Sequence, residues 1–563
     1  MIRGKSGETE LLLGNEAVAR GALEAGVGSV SAYPGTPSTE IGDALRNVAD
    51  EHDLYMEYSV NEKVALEVAI AASYAGVRSM AVMKHVGLNV ASDTFMSLAH
   101  GGVDTGLVLV VADDPSMWSS QNEQDTRQYA EFAKVPMLSP STPQEAKDMV
   151  DYAFELSEEI GTPVILRPTT RIAHSRAPVE LGQIPERSTT GRFEPEHERT
   201  VHIPAHARGM KPALLDRLDR AREAVEEVPF TWIDGGTGTE GIIASGISYN
   251  YVREALDWME IDAPVFKLST PHPIPEERTR EFLEGLDRVL IVEELDPIVE
   301  RAVRVLAQRT GTAVEISGKL DEVVPRSFEL ATERVAQSLA TFFDVEPPVD
   351  FEEIATGQAE ADDLLLARPP DLCTGCPHER VFTAMRNVFD EDTIYPGDIG
   401  CYTLGINYGT LDIQFAMGAS TGFASGFPNV TDQSVVAMIG DSTFYHAGMP
   451  GLLNAVYNDV DVTILVLDNR VTAMTGHQPN PSTGWNAREH DSPQIPIEDL
   501  AEAAGASYVD VVEPYDVESV EEALRTADET DGVSVVVARA PCVLFNKDYA
   551  HRLAAVDERG DRA

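Results

Sequence analysis

Short apolar runs alternate with longer segments of helical periodicity along most of this chain. The runs predict strands buried on both faces, and the segments between them predict helices that connect parallel strands. Together they predict an α/β fold of several open, mostly parallel sheets. The clearest predicted strands are 27–32, 80–83, 107–112, 164–167, 230–234, 265–268, 289–292, 313–316, 435–439, 462–467 and 533–538.

One strand–helix–strand pattern carries candidate chemistry at both strand ends. Asp441 follows the predicted strand 435–439 and a glycine, and Asn469 lies just past the strand 462–467. Neighbouring parallel strands end at the same edge of a sheet, where open α/β sheets bind ligands. A carboxylate and an amide oxygen suit Mg²⁺, which usually keeps phosphate oxygens as further ligands, and Gly440 permits a close approach of the backbone. The alternative is an ordinary crossover unit with an Asp at a strand end.

The chain has four cysteines, all in its last third. Four thiolates are what one 4Fe–4S cluster requires. A zinc site is the rival, because a Cys-x-x-Cys pair occurs in both kinds of site, and unrelated buried cysteines are the third interpretation. Disulfides are not expected in so cysteine-poor a chain without a visible signal peptide. The four are Cys373, Cys376, Cys401 and Cys542.

Near the N-terminus, a Pro-rich turn at 33–40 follows a predicted strand and precedes a helix. Ser38 or Thr39 is expected to cap that helix, and the hydroxyl of Thr36 is placed either to bind a small polar ligand or simply to serve the turn. An Ala-rich helix is predicted at 60–76. Its Glu62 either complements the helix dipole or forms a buried carboxylate that faces a ligand.

Two histidines and a glycine-rich turn remain open to more than one interpretation. His85 and His446 follow predicted strands near the expected ligand edge, so each is a candidate acid, base or substrate-orienting group. A structural hydrogen-bonding histidine is the alternative for both. The turn 235–241 either cradles a phosphate or, as we expect, leads tightly onto a helix.

The composition is strongly acidic. Asp and Glu number 93 against 43 Lys and Arg, for a formal net charge of −50. Such a surface repels nucleic acid and anionic membranes and suits molar salt, which screens charges beyond a few ångströms. We therefore expect a halophilic protein that binds no nucleic acid. No segment has the ~20 consecutive apolar residues of a membrane span, so we expect a cytoplasmic location with no membrane contact.

Taken together, these segments resemble the α (large) subunits of indolepyruvate:ferredoxin oxidoreductases, which are 2-oxoacid:ferredoxin oxidoreductases dependent on thiamine diphosphate (ThDP). The pattern around Asp441 also resembles the diphosphate-binding motif of ThDP enzymes, from which it departs at Ser442 and Asp468. The matching stretches keep their order over nearly the whole chain, at residues 33–38, 61–76, 111–122, 241–251, 292–297, 372–378, 397–405, 442–458 and 472–479.

The resemblance implies catalytic roles for particular residues. Glu62 is expected to face the aminopyrimidine of ThDP, with Glu67 as its rival, and Thr36 to bind the carboxylate or carbonyl of the substrate. The cofactor itself would carry the difficult chemistry. His85 and His446 stay candidates for acid–base or orienting roles.

The resemblance also implies two metal sites. The expected Mg²⁺ ligands are the side chains of Asp441 and Asn469 and the carbonyl of Val471, with Gly440 and Ser442 beside the diphosphate. The four cysteines are expected to bind one 4Fe–4S cluster near ThDP.

The activity implied is oxidative decarboxylation of arylpyruvates, namely indolepyruvate and related aromatic 2-oxoacids. CoA is the co-substrate, the products are arylacetyl-CoA and CO₂, and the electrons pass through the cluster to ferredoxin. A small β subunit is the implied obligate partner, in a dimer of heterodimers. The alternative function is that of a non-redox ThDP-dependent decarboxylase or carboligase.

Composition and resemblance predict six segments. One departure from the family is expected: its large subunits typically finish with a ferredoxin-like domain carrying further cysteine motifs, which this sequence lacks after Cys542. The segments are a pyrimidine-binding ThDP domain at 8–180, a linker at 181–228, a transketolase-C-terminal-like α/β domain at 229–344, an acidic linker at 345–364, a diphosphate-binding ThDP domain with the cluster ligands at 365–547 and a charged tail at 548–563.

Overall fold

A computed structural model of the protein describes residues 2–186, 189–362, 364–366 and 368–560, with only the backbone at 352, 548 and 554–560. The chain forms two compact units, Met1–Leu365 and Leu366–Ala563. Both contain mostly parallel sheets covered by helices, so the predicted α/β fold is confirmed. The domain boundaries drawn from the sequence stay predictions.

The first unit starts with a six-stranded parallel sheet. Its strand Leu107–Ala112 is buried along its whole length, because helices cover both faces. Leu107, Leu109 and Val111 pack into one hydrophobic cluster, and the residues between them pack into another. In spatial order the strands are Tyr55–Tyr58, Ser29–Ala32, Ser79–Lys84, Leu107–Ala112, Val164–Leu166 and Met137–Leu138. The helices of this part are Gly14–Glu24, Thr39–Arg46, Glu62–Tyr74, His85–Gly101, Thr126–Ala133, Pro143–Ile160 and Thr170–His174, with a 3₁₀ turn at Pro115–Met117.

A five-stranded sheet follows in the same unit. Here the expectation for 235–241 was wrong, because this turn leads into the central strand Glu240–Ser245 and not onto a helix. The preceding strand Trp232–Asp234 lies at the sheet edge and pairs antiparallel with Val265–Leu268. Because it runs opposite to Glu240–Ser245, a short turn leads from one to the other without a crossover helix. The spatial order is Glu315–Ser317, Arg288–Val292, Glu240–Ser245, Val265–Leu268 and Trp232–Asp234. The helices are Ser248–Met259, Glu276–Glu284, Ile298–Thr310, Thr332–Phe343 and Phe351–Asp362.

The polar segment 181–228 contains more structure than its composition indicated. A 21-residue helix, Pro204–Ala224, buries a narrow stripe of Met210, Leu214, Leu218 and Ala221. The recurrence of these residues every three or four positions is the only sign of a helix in a highly charged stretch. The remaining elements of the unit are the antiparallel strands Thr9–Leu13 and Arg176–Glu180, helix His197–Thr200 and the 3₁₀ turn Val225–Glu227.

The second unit has a four-stranded parallel sheet. Strand Val462–Asp468 is wholly buried and alternates between two hydrophobic clusters, as a central strand does. The strand order is Val436–Gly440, Val462–Asp468, Val533–Arg539 and Tyr508–Val512. The helices are Pro377–Val388, Ala419–Gly426, Asp441–Thr443, Met449–Tyr457, Ile497–Ala504, Val517–Asp528 and Val543–Gly560, with 3₁₀ turns at Cys401–Tyr408 and Phe427–Asn429 and a π turn at Phe444–Gly448.

Two details of this unit differ from the simplest sequence pattern. On helix Met449–Tyr457 the spaced apolar residues are not all buried, since Leu453 is 51% and Tyr457 88% exposed. The charged tail is helical as far as Gly560, and residues 561–563 lie outside the described part of the chain. No helix within the described residues is both long and apolar enough to cross a membrane.

A buried ion-pair network joins the two sheets of the first unit. Arg127 lies on the helix after the loop 113–125 and is 1% exposed. Its guanidinium donates to Asp125 at 2.6 Å and to Glu293, beside the second sheet, at 2.5 Å. Glu293 also accepts the N–H groups of Val299 and Glu300 at 2.9 and 2.8 Å, which caps helix Ile298–Thr310.

Arg127→Met should therefore lower the free energy of unfolding by about 3–5 kcal/mol, because it leaves buried carboxylates without their cation. Arg280→Met is the matched control. Arg280 pairs with Glu277 and Glu284 on a helix surface, where solvent screens the charges, so its loss should hardly change the free energy of unfolding. Urea unfolding of both variants in molar KCl, followed by tryptophan fluorescence, measures the difference. Equal losses would show that the network does not stabilise the unit.

Candidate active site

In the first unit, the candidate residues gather at the C-terminal edge of the six-stranded sheet. Strands Ser29–Ala32, Ser79–Lys84 and Leu107–Ala112 are parallel neighbours, so the loops after them meet at one edge. Thr36 lies in the loop after the first of these strands, His85 begins the helix that directly follows the second, and helix Glu62–Tyr74 starts beside them.

Glu62 is the first residue of its helix and is 4% exposed. The cap of that helix comes from Asn61, whose side chain accepts the Val64 N–H at 3.0 Å. The Glu62 carboxylate lies against the backbone of Gly87, where a Cβ would stand 2.5 Å from Glu62 Oε1. Glu67, on the same helix, is instead on the surface and pairs with Lys63.

Thr36 occupies the Pro-rich loop and is partly exposed. Its carbonyl accepts the hydroxyl of Ser119 at 3.1 Å, which joins this loop to the loop after strand Leu107–Ala112. The prediction that Ser38 or Thr39 caps the following helix was wrong. Ser38 donates its hydroxyl to the Gly35 carbonyl at 2.8 Å, and neither Ser38 nor Thr39 caps helix Thr39–Arg46 with its side chain.

His85 begins helix His85–Gly101 and is 1% exposed. Its Nε2 lies 3.2 Å from the carbonyl oxygen of Asn122. Burial lowers the pKa of His85 below its ordinary value, so the neutral ring is favoured. In the neutral form, an N–H on Nε2 donates to that carbonyl. This bond is compatible both with a structural histidine and with one that orients or protonates a substrate.

Sequence reasoning missed Lys84, which ends strand Ser79–Lys84 beside His85. Its Nζ donates to the Ser119 carbonyl at 3.2 Å. Burial lowers the pKa of Lys84 to about 8, although the nearby carboxylates of Asp114 and Glu62 act in the opposite direction. The available signal was a lysine at the end of an otherwise apolar strand, one residue before a candidate histidine.

In the second unit, Asp441 and Asn469 follow the neighbouring parallel strands Val436–Gly440 and Val462–Asp468, as predicted. Asp441 is buried and accepts the side chains of Asn480 at 3.0 Å and Ser482 at 2.9 Å. Burial and the nearby Asp468 carboxylate raise the pKa of Asp441 to about 7.

The rest of this strand edge is closely packed. Asn469 Oδ1 accepts the Val471 N–H at 3.2 Å, and the Thr472 hydroxyl donates to Ser442 Oγ at 2.9 Å. A Cβ on Gly440 would stand 2.5 Å from the ring of Tyr402, so only glycine fits there.

His446 lies in the π turn Phe444–Gly448 and is 4% exposed. The turn sits inside a continuous helical segment between Asp441–Thr443 and Met449–Tyr457. Such single π turns occur frequently at functional sites. The local geometry thus agrees with the candidate role of His446 without assigning one.

All four cysteines line one cavity, although three separate segments of the sequence supply them. Burial and the neighbouring cysteines raise the pKa of Cys401 to about 12, and burial raises that of Cys376 to about 11. Among the described residues, no three His, Cys, Asp or Glu side chains are grouped closely enough to hold a single metal ion.

Asp398, which sequence reasoning also missed, fixes the loop that carries Cys401. Its buried carboxylate accepts the N–H groups of Gly418 at 2.9 Å and Ser420 at 3.2 Å, and the Ser420 hydroxyl at 2.9 Å. The loop is thereby tied to the start of helix Ala419–Gly426.

The cysteine cavity and the Asp441 edge share a backbone link. The Cys542 N–H donates to the Asn469 carbonyl at 3.1 Å. His477 Nε2 lies 3.7 Å from Cys542 Sγ, and the His477 ring stacks on Phe545 with 6.0 Å between ring centroids. Any group in the cavity would therefore lie next to the residues that follow strand Val462–Asp468.

Comparison with known proteins agrees with this geometry. Residues 20–219 match the family described as pyruvate flavodoxin/ferredoxin oxidoreductase, thiamine diphosphate-binding. Residues 398–538 match the C-terminal TPP-binding domain of thiamine pyrophosphate enzymes. The first match contains the edge with Glu62, and the second contains the edge with Asp441.

Several curated proteins are similar over almost the whole chain. Indolepyruvate oxidoreductase subunit IorA of Thermococcus kodakarensis is 49% identical, over 96% of this chain and 87% of its own length. The proteins of the same name from Pyrococcus abyssi and Archaeoglobus fulgidus are 50% and 47% identical, over 96% and 97% of this chain and 87% and 88% of their own lengths. With ThDP-binding domains at both strand edges and this identity along the chain, the protein belongs to the indolepyruvate oxidoreductase IorA subunits, a family of oxidoreductases.

Proposed function

We propose that this subunit catalyses the ThDP-dependent oxidative decarboxylation of aromatic 2-oxoacids such as indolepyruvate. CoA accepts the acyl group, so that the products are arylacetyl-CoA and CO₂, and one 4Fe–4S cluster passes the electrons to ferredoxin. The observation that carries the proposal is the identity of about half the residues with proteins named for indolepyruvate oxidation. The four cysteines around one cavity support its redox part.

The edge of the first unit fits the pyrimidine end of ThDP. When bound, the cofactor supplies the stabilisation of carbanions that decarboxylation requires. Glu62 holds a proton at a ring nitrogen of the aminopyrimidine, a role for which its burial suits it better than the exposed Glu67. Thr36 donates a hydrogen bond from its hydroxyl to the substrate, and His85 orients the substrate.

The edge of the second unit fits the diphosphate end. Asp441, Asn469 and the Val471 carbonyl are the oxygen donors that Mg²⁺ prefers. Ser442 and Gly440, whose missing side chain accommodates the Tyr402 ring, would lie beside the phosphate oxygens. His446, in the π turn beside Asp441, is the second candidate for handling a proton.

The cysteine cavity is the place we propose for the cluster. Its four cysteines supply the four thiolates that one 4Fe–4S cluster requires. A zinc ion with four cysteine ligands is the alternative occupant, and the metal assay below distinguishes the two.

The partners follow from the same proposal. We infer a small β subunit, assembly as a dimer of heterodimers, and ferredoxin as the electron acceptor. The net charge of −50 supports a protein adapted to molar salt, which would also screen repulsion between this surface and an acidic acceptor.

Anaerobic purification in molar KCl, followed by iron, sulfide and zinc assays, tests the proposal. We expect about four iron and four sulfide per chain and a brown absorbance that bleaches when indolepyruvate, ThDP, Mg²⁺ and CoA are added. A colourless protein that forms an aldehyde from indolepyruvate would instead indicate the non-redox decarboxylase. Iron without bleaching, even after the β subunit is added, would contradict the proposed substrate.

A further inference from the structure

The side chain of Lys84 is held by close packing of its methylene groups. Its methylene groups pack so closely on Gly35 that a Cβ there would stand 2.9 Å from Lys84 Cδ. The stem is thus held between strand Ser79–Lys84 and the loop that carries Thr36. This packing directs the ammonium group to the open end of the sheet edge, where Ser119 is exposed.

The ammonium group has unused hydrogen-bonding capacity. A lysine ammonium has three N–H donors, and in the described residues one of them goes to the Ser119 carbonyl. No carboxylate of the described residues forms an ion pair with Lys84 within 4 Å. The nearby Asp114 is engaged elsewhere, since it accepts the Ser119 N–H at 2.9 Å and the hydroxyls of Ser120 and Thr170 at 2.7 Å each.

The loop opposite Lys84 is held in a strained conformation. Ser116 and Met117 both have positive φ, at 68° and 53°, which is unusual for residues other than glycine. Asp114 and Glu123 fix this conformation, the latter through the Ser116 N–H at 2.8 Å. Strain that the surroundings maintain in this way is typical of sites that position a ligand.

We propose that Lys84 binds the carboxylate of the 2-oxoacid substrate, next to the hydroxyl of Thr36. The inference rests on the proposed function and adds the residue that recognises the acid group. Ser119 contacts both partners, because its carbonyl accepts from Lys84 and its hydroxyl donates to the Thr36 backbone. A monoanionic substrate near the carboxylates of Glu62 and Asp114 needs a cation, and Lys84 supplies it.

The pH dependence follows from the same assignment. The groups that act on Lys84 are Asp114 in the strained loop, Glu62 on the neighbouring helix and the adjacent His85. The Lys84 pKa is about 8, so the ammonium is charged below that pH and loses its charge above it. KM for the 2-oxoacid should therefore be lowest below about pH 8 and rise above it, and with Lys84→Arg this rise should disappear.

Kinetics of the complete enzyme with Lys84→Met test the proposal. KM for indolepyruvate should rise about 10- to 100-fold, as expected for the loss of a hydrogen bond to a charged group. Inhibition by indolepyruvamide, which has no carboxylate, should not change. Lys84→Arg should restore most of the affinity for the acid. The control is Lys63→Met, because Lys63 is exposed and pairs with Glu67 on the helix surface.

Each other outcome has a distinct meaning. Equal weakening of acid and amide, or an unchanged KM for the acid, would overturn the proposal. A raised KM for CoA alone would overturn it too, since Lys84 would then bind a CoA phosphate. If neither the wild type nor Lys63→Met oxidises indolepyruvate, this result would contradict the proposed function and not the role of Lys84. Urea unfolding midpoints of the variants separate loss of binding from loss of folding.

Discussion

Glu62→Gln should lower kcat for indolepyruvate oxidation by about 10²- to 10⁴-fold, the usual contribution of a positioned proton-transfer group. Glutamine keeps the size of the side chain and its contact with Gly87 but cannot exchange a proton. Glu62 is 4% exposed, so water cannot readily substitute for the carboxylate. Stopped-flow measurement of acceptor reduction, with ThDP binding followed separately, should give a low kcat with the cofactor still bound.

Glu67→Gln is the matched control on the same helix. Glu67 lies on the surface, where it pairs with Lys63 and accepts the Thr94 hydroxyl at 3.1 Å. Its loss should change kcat little. The reverse result, with Glu67→Gln inactive and Glu62→Gln active, would transfer the proton-handling role to Glu67.

Cys401→Ser should abolish cluster binding and with it the reduction of ferredoxin. Mutation of residues that merely orient metal ligands typically lowers metal affinity or activity about 10- to 100-fold. Cys401→Ser removes a ligand itself, so we expect a larger loss of activity. The chain has four cysteines, and all four are assigned to the cluster, so no spare cysteine can replace Cys401. Iron analysis and the visible spectrum of the anaerobic protein measure the loss.

The product distinguishes the redox role of the cluster from a structural one. Without an electron acceptor, decarboxylation of indolepyruvate should yield CO₂ and the aldehyde in place of the CoA ester. Thr374→Ala is the control, since Thr374 is exposed in the same Cys-x-x-Cys turn and has no sulfur. If Cys401→Ser kept its iron and still formed the CoA ester, the cavity would not be the electron-transfer site.

Much of the framework could be predicted from the sequence. Buried parallel strands are apolar along their whole length, so runs such as 107–112 and 462–467 identified the centres of two sheets within a residue of the observed bounds. Edge strands that are short or weakly apolar gave no such signal, and Tyr55–Tyr58 and the two-residue strand Met137–Leu138 were missed. The central strand Glu240–Ser245 was missed because its glycine-rich entry resembles a turn onto a helix.

The candidate site was predictable where chemistry follows a strand end. Asp441 and Asn469 come directly after apolar strands, and the connecting helix makes those strands parallel neighbours. Lys84 also stands at a strand end, but lysines are common in such positions. Only its packing on Gly35 and its distance from ion-pair partners set it apart.

The sequence by itself therefore determined the α/β class, the family and the strand ends that carry chemistry, because these depend on local periodicity and on residues close together in the chain. The tertiary structure decided which glutamate of helix Glu62–Tyr74 is buried, since an Ala-rich helix has no strongly polar face to orient it. It also decided that cysteines from three separate segments share one cavity and that Lys84 packs on Gly35 near Glu62. Both depend on how distant segments pack, which no local pattern encodes.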